Sequence, residues 1–329
     1  MLYTHLTPFE RGMIETLLQA GYSLRGVAKE LGRKASTILR EVNRNQEARK
    51  RYKAVRAQQG AIERRRRSVK PRKLDENRQL REYVEHKLRE DWSPEQISGT
   101  LCIDFPRQHA MRVSHETIYT HVYADKRTQG TLYEHLRQAH RTRRRRGNYK
   151  GKRGLLPGRV GIEKRPKAVE KRREVGHWEA DLVLGRQSGP AIVTLVERKL
   201  GLLVACKVEN RRAYTVSQAI IAALQRVPSK LLKSITFDNG KEFAHFKTIE
   251  HALKIRTYFA DAYAAWQRGT NENTNGLLRQ YFPKKSDFHL LEPRRLNQVV
   301  QTLNNRPRKR LNFRTPAELF RRATVALRF

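Results

Sequence analysis

The stretch HWEADLVLG at residues 177–185 marks a change of period, and its reading decides the fold of the C-terminal half. Residues 178–184 (WEADLVL), 191–197 (AIVTLVE) and 202–208 (LLVACKV) are short, rich in β-branched residues and separated by turn signals, which predicts three strands in a meander. Residues 214–227 carry an apolar stripe at helical spacing. Residues 232–237 read as a further strand that runs directly into DNGKEF and another helix. A meander followed by strand–helix crossovers implies a mixed sheet with helices packed on it. In open sheets chemistry collects at the carboxyl ends of strands, and Asp238 stands at such an end.

Two further carboxylates fall in suggestive places. Asp181 interrupts an apolar strand between Ala180 and Leu182, where a carboxylate is costly unless paired or bound to metal. The plainer alternative is an edge-strand aspartate facing water. Glu272 opens a helix within WQRGTNENTNG (266–276), with Gly276 and Arg279 following at i+4 and i+7 on one face. On that face Gly276 would let a substrate backbone approach and Arg279 would meet its phosphates. The alternative for Glu272 is a first-turn glutamate favoured only by the helix dipole. Together Asp181, Asp238 and Glu272 suit two divalent ions, because Mg²⁺ prefers hard carboxylate oxygens and two such ions serve phosphodiester chemistry. Histidine-rich zinc sites and Ser/His nucleophiles find no comparable support.

The N-terminal half is helical by pattern. Residues 7–20 have apolar spacing at Phe9, Met13, Ile14, Leu17 and Leu18 and stop at Gly21. Ser23 caps a second helix with Leu24, Val27, Ala28 and Leu31 inward and Gly32 at its end. A third helix opens at residues 35–37 with Ile38, Leu39 and Val42 inward, which leaves Ser36, Thr37, Arg40 and Arg44 on the free face. That is the layout of a helix-turn-helix whose last helix enters a major groove. A weaker second copy has Ser93 and Pro94 at one helix start and Ser114 at another, with His115, Thr117 and His121 as candidate DNA contacts.

The charge fits this reading. The chain of 329 residues holds 70 Lys+Arg against 32 Asp+Glu, a net +38, divided as +17 in residues 1–150 and +21 in 151–329. A polyanion is the expected partner. Sixteen cations crowd residues 136–173, among them Arg143, Arg144, Arg145 and Arg146, so this run reads as an unpacked linker that orders on phosphates. A second basic cluster, Arg64 to Arg67 with Lys70, Arg72 and Lys73, reads as separating two helical segments. The longest uncharged apolar runs, at 200–206 and 219–224, are too short for a membrane span, and the first thirteen residues lack the apolar core of a secretory signal. Cys102 and Cys206 suggest neither a disulfide scaffold nor a zinc site. A cytoplasmic protein is expected.

HWEADLVLG (177–185), TFDNGKEFAHF (236–246) and WQRGTNENTNGLLRQYFPKKSDF (266–288) resemble the three catalytic blocks of the DDE transposases of the IS-thirty family of bacterial insertion sequences. Asp238 and Glu272 have 33 residues between them, close to that superfamily's spacing, and SLRGVAKELGRKASTILREVNRN, DWSPEQIS and VSHETIYTHVY are similar to its DNA-binding regions. Residues 261–265 depart from the family's pattern, which has serine before the tryptophan, and this bears on substrate contacts rather than chemistry. The resemblance implies a multidomain chain, with all-α helix-turn-helix domains followed by an α/β ribonuclease-H-like catalytic domain containing a mixed five-stranded sheet. It implies Asp181, Asp238 and Glu272 as ligands of two Mg²⁺ ions, with Mn²⁺ able to substitute. The implied reaction is hydrolysis at the ends of an element, then attack of the freed 3′-hydroxyls on target DNA. Expected partners are double-stranded terminal inverted repeats, target DNA and a second copy of the chain, in the bacterial nucleoid. The expected domains are 1–60, 75–135 and 174–329, with 136–173 as the linker. Two rival functions remain: a DNA-binding regulator, disfavoured by three intact acids, and an RNA-processing nuclease, disfavoured because A-form RNA does not admit a helix into its major groove.

Overall fold

The computed structural model describes residues 4–45, 51–68, 71–137, 156–186, 189–261 and 264–326. Its contacts divide the chain into two compact units, Met1–Glu76 and Asn77–Phe329.

The first unit contains α1 (Pro8–Gln19), α2 (Leu24–Glu30), α3 (Ala35–Asn45), α4 (Ala54–Ser68) and the short α5 (Lys73–Glu76). Thr7 and Glu10 form a reciprocal capping box at the start of α1. Ser23 caps α2 by accepting from the amide of Gly26, and Gly32 turns the chain with φ +60°. Ile14, Val27, Ala28, Ile38, Val42, Tyr52 and Ala57 make the core. Two expectations need correction. Leu39 is exposed, because Ile38 and Val42 already point inward one turn apart and their neighbour lies about 100° round the helix. Of the second basic cluster, residues 64–67 belong to the last turns of α4, whereas Arg72 lies between α4 and α5. Beneath them Arg11 donates to Glu41 at 2.7 Å, both side chains buried, and to Gln58 and the Leu6 carbonyl.

The second unit begins with α6 (Arg78–Arg89), α7 (Pro94–Asp104) and α8 (His115–Arg127). Ser93 makes a capping box with Gln96, and Ser114 caps α8. This helical module is docked on the loop that follows α13 (Pro293–Asn304). Gln96 Nε2 donates to the Pro307 carbonyl at 2.7 Å, Lys309 pairs with Glu95 at 2.6 Å, and Arg306 donates to the Asp91 carbonyl. The Phe313 ring sits on Gly99, where there is no room for a Cβ. Asn312 and Phe313 both take left-handed backbone, φ +53° and +58°, a conformation that bulky residues adopt only where their surroundings hold them.

Five strands make the sheet: β1 (His177–Leu184), β2 (Ala191–Glu197), β3 (Leu203–Val208), β4 (Ser234–Phe237) and β5 (Arg256–Phe259), in the order β3-β2-β1-β4-β5. The first three form the antiparallel meander, and β4 and β5 run parallel to β1 through crossovers. This is the mixed sheet the sequence implies. One face carries Trp178, Ala180, Leu195 and Phe237, buried with the apolar residues of α10 (Ala213–Leu224) and α11 (Phe246–Leu253). The other carries Val183, Ile192 and Val196 against α12 (Gly269–Tyr281) and α13. A last helix, α14 (Pro316–Val325), places Phe320 and Ala323 on the first of these cores.

Residues 156–173 correct the reading of 136–173 as wholly unpacked. They contain a 3₁₀ turn (Ile162–Lys164) and α9 (Lys167–Glu170), with Ile162 and Val169 buried and the Phe259 amide donating to the Val160 carbonyl. Arg165 is buried as well and donates to Thr236 Oγ1, and burial lowers its pKa to about 10. Among the described residues no helix is long and apolar enough to cross a membrane.

Candidate active site

The register of two parallel strands creates the site. On β1 and β4 His177 lies opposite Ser234 and Glu179 opposite Thr236. Two residues further along, on the same face, are Asp181 and Asp238. A single guanidinium reaches both of them: Arg268 Nη1 is 3.5 Å from Asp181 Oδ1, and Nη2 is 3.4 Å from Asp238 Oδ2. Arg268 comes from the 3₁₀ turn Ala265–Arg268 that leads into α12, and Nη1 also donates to the Ala180 carbonyl at 3.1 Å. Asp181 Oδ2 accepts from Asn275 Nδ2 at 2.9 Å, and Asp238 Oδ1 accepts from the Gly240 amide at 3.0 Å. Burial pushes the Asp181 carboxyl above the usual range, with the Arg268 charge opposing and the Asp238 charge adding to the rise.

Residues that the sequence reading passed over hold α12 against this face. Glu179 is fully buried. Its Oε1 accepts from Arg198, itself buried, and its Oε2 accepts from the Asn271 amide in the first turn of α12 at 2.8 Å. Thr194 Oγ1 lies 3.2 Å from Asn271 Oδ1 and 3.3 Å from the Asp181 carbonyl, and Arg172 donates to Thr270. A carboxylate accepting an amide at a helix N-terminus is favoured by both the hydrogen bond and the dipole. The available signal was period two: residues 179 and 181 point to the same side of a strand. Trp266, on the turn that carries Arg268, is 77% exposed.

Glu272 is exposed on the first turn of α12, one turn before Asn275 and so on the side of the helix that turns toward Asp181. Among the described residues no three His, Cys, Asp or Glu side chains converge as a metal cluster. The structure thus brings two of the three acids together, with the third exposed on the first turn of α12. The donor set suits a hard divalent cation: two adjoining carboxylates, and the Asn275 side-chain oxygen, buried without a hydrogen-bond partner.

The candidate DNA contacts divide. Ser36, Arg40 and Arg44 are exposed on α3 and Thr37 is half-buried there. Thr37, Arg40 and Arg44 line, with Arg64 and Arg65 of α4, an open groove of about 550 Å³. His115 is exposed beside Glu116 at 3.3 Å, and Thr117 is half-buried, 2.9 Å from Ser114 Oγ. His121 turns to α6, with Nε2 3.1 Å from Glu85 Oε1, beside buried Ile118 and Val122 of α8. Arg279 makes contacts within the protein. Its guanidinium donates to the carbonyls of Leu184 at 2.7 Å and of Phe282 and Pro283 at 3.4 Å, tying the end of α12 to the end of β1. The neighbour that approaches Gly276 is the guanidinium of Arg137. Arg143, Arg144, Arg145 and Arg146 lie outside the described residues.

Comparisons with known proteins agree along the chain. A helix-turn-helix domain family matches residues 3–45. The transposase InsI of insertion sequence element IS30A from Escherichia coli K12 is 43% identical over 328 residues, 98% of this chain and 84% of its own length. The transposase of IS1086 from Cupriavidus metallidurans is 39% identical over 96% of this chain and 94% of its own. That of IS4351 from Bacteroides fragilis is 38% identical over 96% and 95%. Among solved structures, the catalytic core domain of BIV integrase covers 47% of this chain and 100% of its own, with a TM-score of 0.38 and 19% identity. Similarity at this level, running through the helix-turn-helix and all three acidic blocks, means that the chain belongs to the IS30 family of insertion-sequence transposases.

Proposed function

We propose that this transposase binds the terminal inverted repeats of its element, hydrolyses phosphodiester bonds at the ends and joins the freed 3′-hydroxyls to target DNA. The observation that carries this is the pair Asp181 and Asp238, set side by side by strand register and spanned by one cation. Asp181 and Asp238 would hold Mg²⁺ (or Mn²⁺), with Glu272 completing the set from α12 for two ions. When bound, these ions supply activation of the attacking oxygen and stabilisation of the leaving one. The protein's own part is to place and orient the carboxylates. Asn275 orients Asp181, the Gly240 amide orients Asp238, and the Glu179 contact fixes the helix that carries Glu272.

On this reading Ser36, Thr37, Arg40 and Arg44 contact repeat DNA from α3, while His115 and Thr117 are the surface candidates of the second helical module. Arg143 to Arg146 are proposed to meet phosphates. The chain works in the bacterial cytoplasm, at the nucleoid, and as at least a dimer on DNA, because an element has two ends and each chain has one pair of adjoining aspartates. The domains are proposed as 1–60, 75–135 and 174–329, joined by 136–173.

The test uses duplexes with native and random ends plus Mg²⁺, scoring 3′-end nicking and strand joining by wild type and Asp238→Asn. Wild type should nick and join native ends. The variant should bind them nearly as well and leave them intact, since the amide keeps the shape but removes a charge. Substantial nicking by the purified variant would refute the metal-ligand role.

A further inference from the structure

Arg268 is unusual in what it touches. Its side chain is 12% exposed, its Nε is buried without a hydrogen-bond partner, and its two terminal nitrogens reach Asp181, Asp238 and the Ala180 carbonyl. One planar fork between carboxylates from neighbouring strands answers a specific problem. Two carboxylates at adjoining register positions repel each other, and in the half-buried setting of Asp181 water screens that repulsion poorly. We infer that Arg268 is a built-in counter-cation, which holds Asp181 and Asp238 together before metal arrives and which a divalent ion must displace in order to bind. This rests on the reading of the two aspartates as metal ligands and adds a residue to it.

The consequence has a definite sign. An arginine that competes for the same oxygens weakens metal binding, whereas one that merely scaffolds the pair strengthens it. An opposite charge this close changes a carboxylate's affinity for a proton by about ten- to a thousandfold, and competition with a divalent ion is of at least the lower order. The fork matters as well as the charge. A lysine ammonium is a point charge that serves one carboxylate at a time, so it relieves the repulsion less completely and is more easily displaced. Because the turn that bears Arg268 runs directly into α12, displacement of the guanidinium also frees a cation at the entrance to the helix that carries Glu272. A phosphodiester brought to the two aspartates would meet it there.

The experiment is a titration of the full-length, metal-free protein with Mn²⁺, following free Mn²⁺ by electron paramagnetic resonance, for wild type, Arg268→Gln and Arg268→Lys. Each is repeated in an Asp181→Asn/Asp238→Asn background, and near-ultraviolet circular dichroism reports folding. Arg268→Gln should bind Mn²⁺ about tenfold more tightly than wild type, with Arg268→Lys between the two. Aspartate-dependent binding that is unchanged or weaker in Arg268→Gln would overturn the inference and leave the metal-ligand reading standing. If Arg268→Gln does not fold, Arg268→Lys decides: affinity no higher than wild type would overturn the inference. Absence of any Mn²⁺ binding that the aspartate variants abolish would overturn the metal-ligand reading, and this inference with it.

Discussion

Glu179 and Asp181 lie two residues apart on β1 and face the same helix, yet one is sealed and the other is open. Glu179 is buried completely, with Arg198 on one oxygen and the Asn271 amide on the other, while Asp181 keeps 28% of its side chain accessible beside Asp238. A strand of period two thus supplies an anchor and a ligand position to one face.

That division predicts how the pair Glu179–Arg198 responds to mutation. Removing either partner alone leaves a buried charge uncompensated, and Glu179→Gln or Arg198→Met should cost roughly 3–5 kcal/mol in denaturant unfolding. Replacing both by Met should recover most of that stability. Nicking should stay low in the double variant, because the Asn271 amide has lost its acceptor. Full nicking activity in the stable double variant would show that the pair only fills space.

Arg279→Gln tests whether that residue ties elements of the fold together or meets DNA. It should lower the stability of the fold through three lost carbonyl contacts, and leave the salt dependence of DNA binding unchanged. A fall of about 0.9 in the slope of log affinity against log salt, the value of one phosphate contact, would return Arg279 to the DNA.

Acid should loosen the first unit through Glu10. The Arg33 guanidinium and the Thr7 cap hold its carboxyl down to about 2, against an ordinary 4.5. A depressed folded value means that this stabilisation is present in full above pH 4.5 and is lost as the pH falls toward 2. Amide hydrogen exchange in α1 and α2 should therefore accelerate over that window, and Glu10→Gln should remove this component. Identical acid profiles for wild type and variant would contradict the linkage.

The two sets of arginines should separate by what they read. Arg40→Ala should lose about 1–3 kcal/mol of discrimination between repeat and random DNA if it bonds a base edge. Changing Arg143 to Arg146 to Gln should instead flatten the salt slope by up to about three or four units, with preference between the two DNAs kept. Paired salt titrations on both duplexes distinguish these outcomes, and a collapse of preference in the four-arginine variant would reverse the assignment.

Much of this was legible because it is local. The meander declared itself through β-branched runs and turn residues, and Asp181 and Asp238 through carboxylates where strands should be apolar. The caps Thr7, Ser23, Ser93 and Ser114 stand one residue before their helices, as short-range chemistry requires. What stayed hidden depends on partners far along the chain. Arg268 meets Asp181 from 87 positions away, and Glu179 meets Asn271 from 92, so neither contact has a local pattern. In 156–173 the density of cations masked the buried Ile162 and Val169, and the bonds from Val160 to Phe259 and from Arg165 to Thr236 span too many positions to leave a local pattern. The contacts of His121 with Glu85 and of Arg279 with the Leu184 carbonyl were likewise invisible, because their partners lie 36 and 95 positions away.

Two described residues on either side of the basic run engage opposite faces of one sheet. Arg137 lies over Gly276 of α12, and Leu156 packs against the core formed with α10 and α11. The full thickness of the sheet therefore separates the two points, so a change that loosened one face would release one of them and leave the other in place.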